Sequence, residues 1–425
     1  MRLLYSLLWY ALLPLLFARL WWRGRRAPAY RRRWRERLAL GLGRGRLRGS
    51  VWVHAVSVGE TLAAAPLIEA LLARHPDTPL VVTTTTPTGS ERVQALFGDR
   101  VTHVYCPWEL PGAYRRFWRA FDPRLVVILE TELWPNLCAA AKAHGARLLL
   151  MNGRLSENSY RGYRRLPKLV RPMLARFDLL AVQTRAEADR FQALGADPER
   201  IRVNGSVKFD LTLGETLRDQ AAALRQRFAA RPVWVAASTH PGEDEPVLAA
   251  HRRLLERHAD ALLVLVPRHP ERFDEVAALA ARHGMTVARR SQDDGVDQGV
   301  NLYLADTMGE LLMLFGAADV AFVGGSLVPV GGHNLLEPAA WGVPVLTGPH
   351  LHNFTAIADL LDQAGALSRV ADEDALMSRV GALLDDADER RRLGEAAAAV
   401  VAANRGALQR GVTICSSLWP SRSGL

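Results

Sequence analysis

The sequence predicts an α/β protein of two doubly wound domains, each a parallel sheet covered by helices on both faces. Three observations predict it. Short runs rich in Val, Leu and Ile, at 51–56, 80–86, 125–130, 147–152, 179–184 and 203–208, are largely apolar rather than alternating, and most end in polar or small residues. Strands buried on both faces have that pattern. Segments of helical spacing, such as 62–74 and 186–194, separate the runs. The alternation stops at 211–230, a charged helical stretch, and restarts with runs at 233–238, 261–267, 300–305, 320–325 and 343–347. A chain of 425 residues is also too long for one typical core. Helices at 373–384 and 388–404 and a last segment to 425 close the chain. The expected domains are 49–215 and 216–425.

Two further segments precede them. Residues 3–18, LLYSLLWYALLPLLFA, carry no charge. These 16 residues span roughly 24 Å as a helix, short against a hydrocarbon core of about 30 Å. Trp and Tyr flank the run and arginines follow it, as in an anchor whose following chain stays on the cytoplasmic side. Residues 1–22 are therefore expected to be an uncleaved anchor or a monotopic insertion. Residues 23–48 are an Arg-rich juxtamembrane segment facing anionic headgroups. A chain lacking 1–22 should be more soluble and still active in detergent.

The formal charge of +10 is concentrated there. Residues 1–48 hold 13 arginines against one carboxylate, Glu36, while the remainder holds 41 basic and 43 acidic residues. No basic stripe runs through the body and no nucleic-acid motif is present, so nucleic-acid binding is not expected. Cys106, Cys138 and Cys415 are far apart, odd in number and outside any C-x-x-C, as in a reducing compartment. The histidines lack zinc-ligand spacing, so neither a metal nor another cofactor is expected.

In doubly wound sheets ligands bind beyond the carboxyl ends of the strands. Candidates sit there: Glu60 after the first run, Glu130 at the end of 125–130, and Lys208 at the end of 203–208. Ser57-x-x-Glu60 matches a capping box, and the tetrapeptide alone favours that reading. The alternative is a carboxylate that accepts a proton from an attacking hydroxyl. Alternation points Glu130 and Glu132 to one side, as crevice residues or as solvated loop acids. Lys208 faces an anion or pairs with Asp210. In the second half, Arg268 of PRHPER could fork onto a phosphate. Gly324-Gly325-Ser326 and Gly331-Gly332 allow close backbone approach to a ligand. Asn334 to Pro338 looks like a helix start with donors for an anion, and Glu337 could accept bonds from ribose hydroxyls. The stretch is neither a P-loop nor a dinucleotide fingerprint.

Seven motifs stand in order along nearly the whole chain: HAVSVGE, ETELWPN, NGRLSENSY, STHPGEDE, PRHPERF, MGEL and GGHNLLEPAAWGVPVLTGP. With them the sequence resembles the 3-deoxy-D-manno-octulosonic acid (Kdo) transferases of lipopolysaccharide synthesis. The resemblance implies a GT-B fold, with two Rossmann-like domains facing across a cleft and an N-terminal anchor helix. It implies inverting transfer of Kdo from CMP-Kdo to the lipid A precursor at the cytoplasmic face of the inner membrane. It places the catalytic base on Glu60 and supporting polar residues on Glu130 and Lys208. CMP contacts fall on Arg268, His269, Gly309, Glu310, Leu311, Asn334, Leu335, Leu336 and Glu337. On that reading Ser57 caps the helix, and Glu60 is released from the box and turned towards the cleft. The rivals are a GT-B enzyme using another nucleotide sugar and a membrane-tethered nucleotide-binding module without catalysis.

Overall fold

The computed structural model describes residues 1–43, 47–293 and 295–419. Among the described residues fourteen strands form two seven-stranded sheets, every pairing parallel. The first holds β1 (Ser50–His54), β2 (Leu80–Thr84), β3 (Thr102–Tyr105), β4 (Pro123–Leu129), β5 (Arg147–Gly153), β6 (Leu179–Val182) and β7 (Ile201–Val203). The second holds β8 (Val233–Thr239), β9 (Leu262–Pro267), β10 (Val287–Arg289), β11 (Leu302–Leu304), β12 (Val320–Val323), β13 (Val345–Thr347) and β14 (Leu367–Arg369). Their orders are β3-β2-β1-β4-β5-β6-β7 and β10-β11-β9-β8-β12-β13-β14. Strand order therefore reverses between β1 and β4 in one sheet and between β8 and β12 in the other. Those switch points open crevices at the strand ends, where ligands of such sheets bind. Strands β1, β8 and β9 are buried along their whole length, as their largely apolar runs require.

The chain divides into two compact units, Met1–Lys208 together with the chain from Arg405 on, and Phe209–Asn404. This corrects the expected 216–425 domain at both ends. The helix Ala407–Ser417 packs against α2 (Val58–Arg74) of the first unit, and Asn204 and Arg410 tie it there through Ala407 O and Asn204 O. The expected strand 203–208 is also corrected. β7 ends at Val203, the chain turns at Gly205 in the left-handed region, and Lys208 lies in a short 3-10 turn, Val207–Phe209.

The N-terminal run is α1 (Arg2–Arg23), the one described helix long and apolar enough to cross a membrane. It is not detached from the fold. Ser6 is buried against the Asn136 amide at 3.0 Å, Trp9 sets its ring edge against Trp134, and Phe17 does so against Trp108. Leu13 packs on the same core. Positions 6, 9, 13 and 17 share one helical face. Leu3, Leu4, Leu7, Leu8 and Leu15 are exposed. Removing residues 1–22 would strip the cover from Trp108 and Trp134 and take the Ser6 hydroxyl from Asn136, so the truncated chain should also be less stable. The truncated chain in detergent should melt about 5–10 °C lower. An unchanged melting temperature would show that the docked face contributes nothing.

The Arg-rich segment is likewise partly structural. Arg33 forks onto Glu36 at 2.7 and 2.8 Å, and Glu36 accepts the Tyr105 N–H. Arg33 and Arg37 both lie over the Tyr105 ring. These two are therefore turned into the fold and not out towards a bilayer surface, whereas Arg25, Arg26, Arg31, Arg32 and Arg35 are exposed.

Candidate active site

In the first unit the β1 strand ends at His54, and Ser57, in extended conformation, begins α2. The Ser57 hydroxyl accepts the Glu60 N–H at 3.4 Å, as expected of the cap. Glu60 is not released. One carboxylate oxygen accepts the Val56 N–H at 2.8 Å, and the other takes the Ser57 hydroxyl at 3.3 Å. The carboxylate thus folds back one residue beyond the cap, onto Val56 rather than Ser57. Only half of the reciprocal capping box is made. Burial pushes the Glu60 carboxyl up to about 7; the Val56 bond opposes this, and the Glu132 and Glu130 carboxylates reinforce it. Three carboxylates therefore share one neighbourhood at the β1/β4 switch point.

Glu130 follows β4 with φ +55°, and Asn152 on neighbouring β5 has φ +54°. Non-glycine residues in this region are strained, and such strain concentrates at functional sites. Glu130 N–H bonds Met151 O at 3.0 Å. Asn152 is buried, accepts the Val207 N–H at 3.3 Å, and leaves its amide nitrogen without a partner. Asn152 thus fixes the turn that presents Lys208. Glu132 accepts the Trp134 indole N–H at 2.7 Å, and burial raises its carboxyl as well.

In the second unit a cavity of about 230 Å³ lies at the β8/β12 switch point. It brings together Arg268, Gly309, Leu311, Asn334 and Glu337 of the expected set, and adds Ser238 and His333. Four expected residues do not present their side chains to it. Leu335 and Leu336 are fully buried in the core with Val323 and Val345. The Glu310 carboxylate is bonded by Arg290 at 2.7 and 3.1 Å and by the Thr307 hydroxyl, which hold it below its usual range. His269 turns its ring edge to His240 instead, with 5.2 Å between centroids. The expected anion-receiving helix start is corrected too. The helix Leu336–Trp341 has six residues, and the Asn334 side chain already accepts the Leu336 N–H at 3.2 Å. The Asn334 amide donates to Glu337 at 2.9 Å, and burial raises the Glu337 carboxyl.

The glycine-rich turn after β12 is also occupied from within. Glu243, fully buried, accepts four backbone N–H groups: His240 (3.0 Å) and Gly325 (2.6 Å) on one oxygen, Ser326 and Leu327 (both 2.9 Å) on the other. Glycine is required at 324, where a Cβ would stand 2.9 Å from Glu243 Oε2. These donors hold the loop and not a ligand phosphate. On this loop, His333 shares a 2.8 Å Nε2–Nε2 hydrogen bond with His240. Burial, then His240, Arg268 and His269, push His333 down to about 4, so it is neutral at pH 7. Among the described residues, no group of three His, Cys, Asp or Glu side chains is placed to hold a metal ion.

A family profile described as 3-Deoxy-D-manno-octulosonic-acid transferase (kdotransferase) matches residues 32–211. A curated 3-deoxy-D-manno-octulosonic acid transferase of Haemophilus influenzae is 42% identical over 388 residues, 91% of each chain. That of Bordetella pertussis is 39% identical over 430 residues, 96% of each. The chain belongs to the Kdo transferase family. It is a glycosyltransferase. Among solved structures, the Anabaena protein Alr3699/HepE in complex with UDP superposes with a TM-score of 0.58 at 14% identity, covering 87% of this chain and 99% of that one. The UDP-GlcNAc 2-epimerase of Neisseria meningitidis bound to UDP-GlcNAc gives 0.57 at 12% identity, with 87% and 99% covered. These likenesses concern the fold, which is GT-B.

Two positions of this Kdo transferase have a role that only the folded chain reveals. Asn152 and Glu243 lie inside recognised motifs, NGRLSENSY and STHPGEDE, yet neither residue type at its position signals a backbone-holding role. The strand-end location was the available signal, and it applies equally to a dozen neighbours.

Proposed function

We propose that this Kdo transferase moves Kdo from CMP-Kdo to a hydroxyl of the lipid A precursor, lipid IVA, with inversion at the anomeric carbon. The acceptor oxygen attacks the ketose carbon, and its proton passes to Glu60. The bond from that carbon to the phosphate oxygen breaks, and its electron pair leaves with CMP. One observation carries this reading: a strand-end carboxylate at the β1/β4 switch point, buried enough to titrate at about 7. A general base works best with a pKa near the operating pH. The hydroxyl that reaches it displaces the Ser57 contact at 3.3 Å, the weaker of its two. Glu130, just past the end of β4, and Lys208, on the 3-10 turn after β7, are assigned to stabilising the transition state. In the second unit Arg268 takes the phosphate, Gly309 and the backbone of Glu310 and Leu311 line the nucleotide, and Glu337 with Asn334 meets the ribose. His269, Leu335 and Leu336 contribute backbone and packing to the same site.

The working location is the inner membrane, with both catalytic units on the cytoplasmic side. The docked face of α1 supports a monotopic arrangement. Contacts from position 6 to position 17 hold about 17 Å of the helix against the folded unit. A perpendicular span would draw that unit into hydrocarbon or break those contacts. Exposed arginines beside the helix suit anionic headgroups.

Mass spectrometry of the product from lipid IVA and a CMP-Kdo supply tests the reaction. Nucleotide preference tests the site. CMP at about 100 times its dissociation constant adds ~2.7 kcal/mol to stability and should raise the melting temperature by about 5–10 °C. Arg268→Ala should remove most of that rise. A response to UDP alone would point to another nucleotide sugar and sink the CMP-Kdo reading.

A further inference from the structure

A second cavity, about 310 Å³, lies within the first unit and has no part in the reaction described above. One wall is Trp9 of α1; others are Trp108 and Trp134; Val56, the residue whose N–H holds Glu60, forms part of its floor. Arg37 enters it from the Arg-rich segment. This guanidinium is buried, gives one bond to Thr85 O at 2.9 Å, and its Nε has no hydrogen-bond partner. Among the described residues no carboxylate lies within ion-pair distance of it, which is unusual for a buried charge. His54 Nε2, also buried on this cavity, has no partner either. The two carboxylates at the wall are engaged elsewhere. Glu109 accepts the Asn136 and Leu137 N–H groups, and Glu132 accepts the Trp134 indole.

The cavity thus combines an aromatic lining with a buried, unneutralised cation. It also adjoins α1, whose outer face is a row of exposed leucines. We propose that it binds an acyl chain of the acceptor lipid, laid along Trp9, Trp108 and Trp134, with a phosphate oxygen of that lipid on Arg37. The assignment rests on the lipid-acceptor reading above and gives it a site. Trp9 then joins the membrane helix to the active site: the chain enters beside α1, and its sugar end is carried towards Glu60. Lipid burial on this wall removes apolar surface from water, the ordinary source of affinity for such a ligand.

Dodecyl phosphate, used below its own micelle concentration on the full-length protein in non-ionic detergent, tests this. It carries one chain and one phosphate. It should raise the melting temperature and compete with acylated acceptor, raising the acceptor KM while the donor KM stays within error. Inorganic phosphate and dodecanol should each do far less. Trp9→Ala and Arg37→Met should each weaken dodecyl phosphate about tenfold. Trp9→Phe, which keeps a ring in the wall, should retain most of the affinity. If the substitutions disturb folding, the competition pattern of the unaltered protein decides. Absence of competition, or equal binding to the unaltered and Trp9→Ala proteins, overturns the assignment. That failure is separable from failure of the lipid-acceptor reading, which would appear as no Kdo product on any acylated disaccharide.

Discussion

Glu60→Gln should reduce turnover by roughly 10²–10⁴-fold while CMP still binds with unaltered affinity. The amide keeps one oxygen for the Val56 N–H, so the loop stays in place, but it accepts no proton from the acceptor hydroxyl. The cavity proposed for the nucleotide lies in the other unit and shares no residue with this loop. The unaltered enzyme should gain activity as pH rises through about 7, where the Glu60 carboxyl loses its proton. A pH profile flat from 6 to 8, or near-normal turnover by Glu60→Gln, would remove Glu60 from the role of base.

The same carboxylate leaves a mark on stability. Its native pKa of about 7 stands above the ordinary 4.5, so between those values the native state holds a proton that the unfolded chain has lost. The associated stability is fully present below about 4.5 and is lost as pH rises through about 7. Above that, the charged form costs about 2–3 kcal/mol, taking partial exposure into account. Glu60→Gln abolishes this dependence, so the inactive variant should melt several degrees higher than the unaltered protein at pH 8 and no higher at pH 4. Equal melting temperatures at both pH values would mean that burial does not perturb this carboxyl.

Much of this arrangement was legible in the sequence, and the pattern of failure is physical. The central strands announced themselves because both faces are covered and most of their residues are apolar. The strands that escaped notice, THVY of β3, VAR of β10 and LSR of β14, are all sheet edges. An edge strand is short and less covered, so its composition is mixed. The remaining edge, β7, was placed too late for the same reason, and Gly205 ended it where apolar content alone suggested continuation. At the site, the strand-end positions of Glu60 and Glu130 followed from topology. The direction of a side chain within a turn did not. Ser57-x-x-Glu60 reads identically whether the carboxylate returns to Ser57 or to Val56. The resemblance places Glu310 at the nucleotide, but the sequence does not show that its carboxylate is paired with Arg290, which lies on a separate segment twenty residues earlier.

Glu243→Gln should do the opposite of Glu60→Gln, although the chemical change is the same. Each oxygen of Glu243 receives two backbone N–H groups, and an amide has a single oxygen. Whichever way it rotates, its NH2 group confronts either His240 and Gly325 or Ser326 and Leu327. Two buried donors are left unsatisfied, each at about 1–3 kcal/mol, so the second unit should lose on the order of 4 kcal/mol. The effect reaches the nucleotide through the loop. Gly325 lies under the His333 ring, where a Cβ would stand 2.8 Å away, and His333 lines the cavity proposed to hold CMP. CMP should therefore bind Glu243→Gln more weakly even below its melting transition, while residues of the first unit keep their hydrogen-exchange protection. Glu243 touches no ligand on this account; it acts by position alone. A variant that melts lower yet binds CMP normally would confine Glu243 to stability. One that melts and binds as the unaltered protein does would show that the loop needs no internal anion.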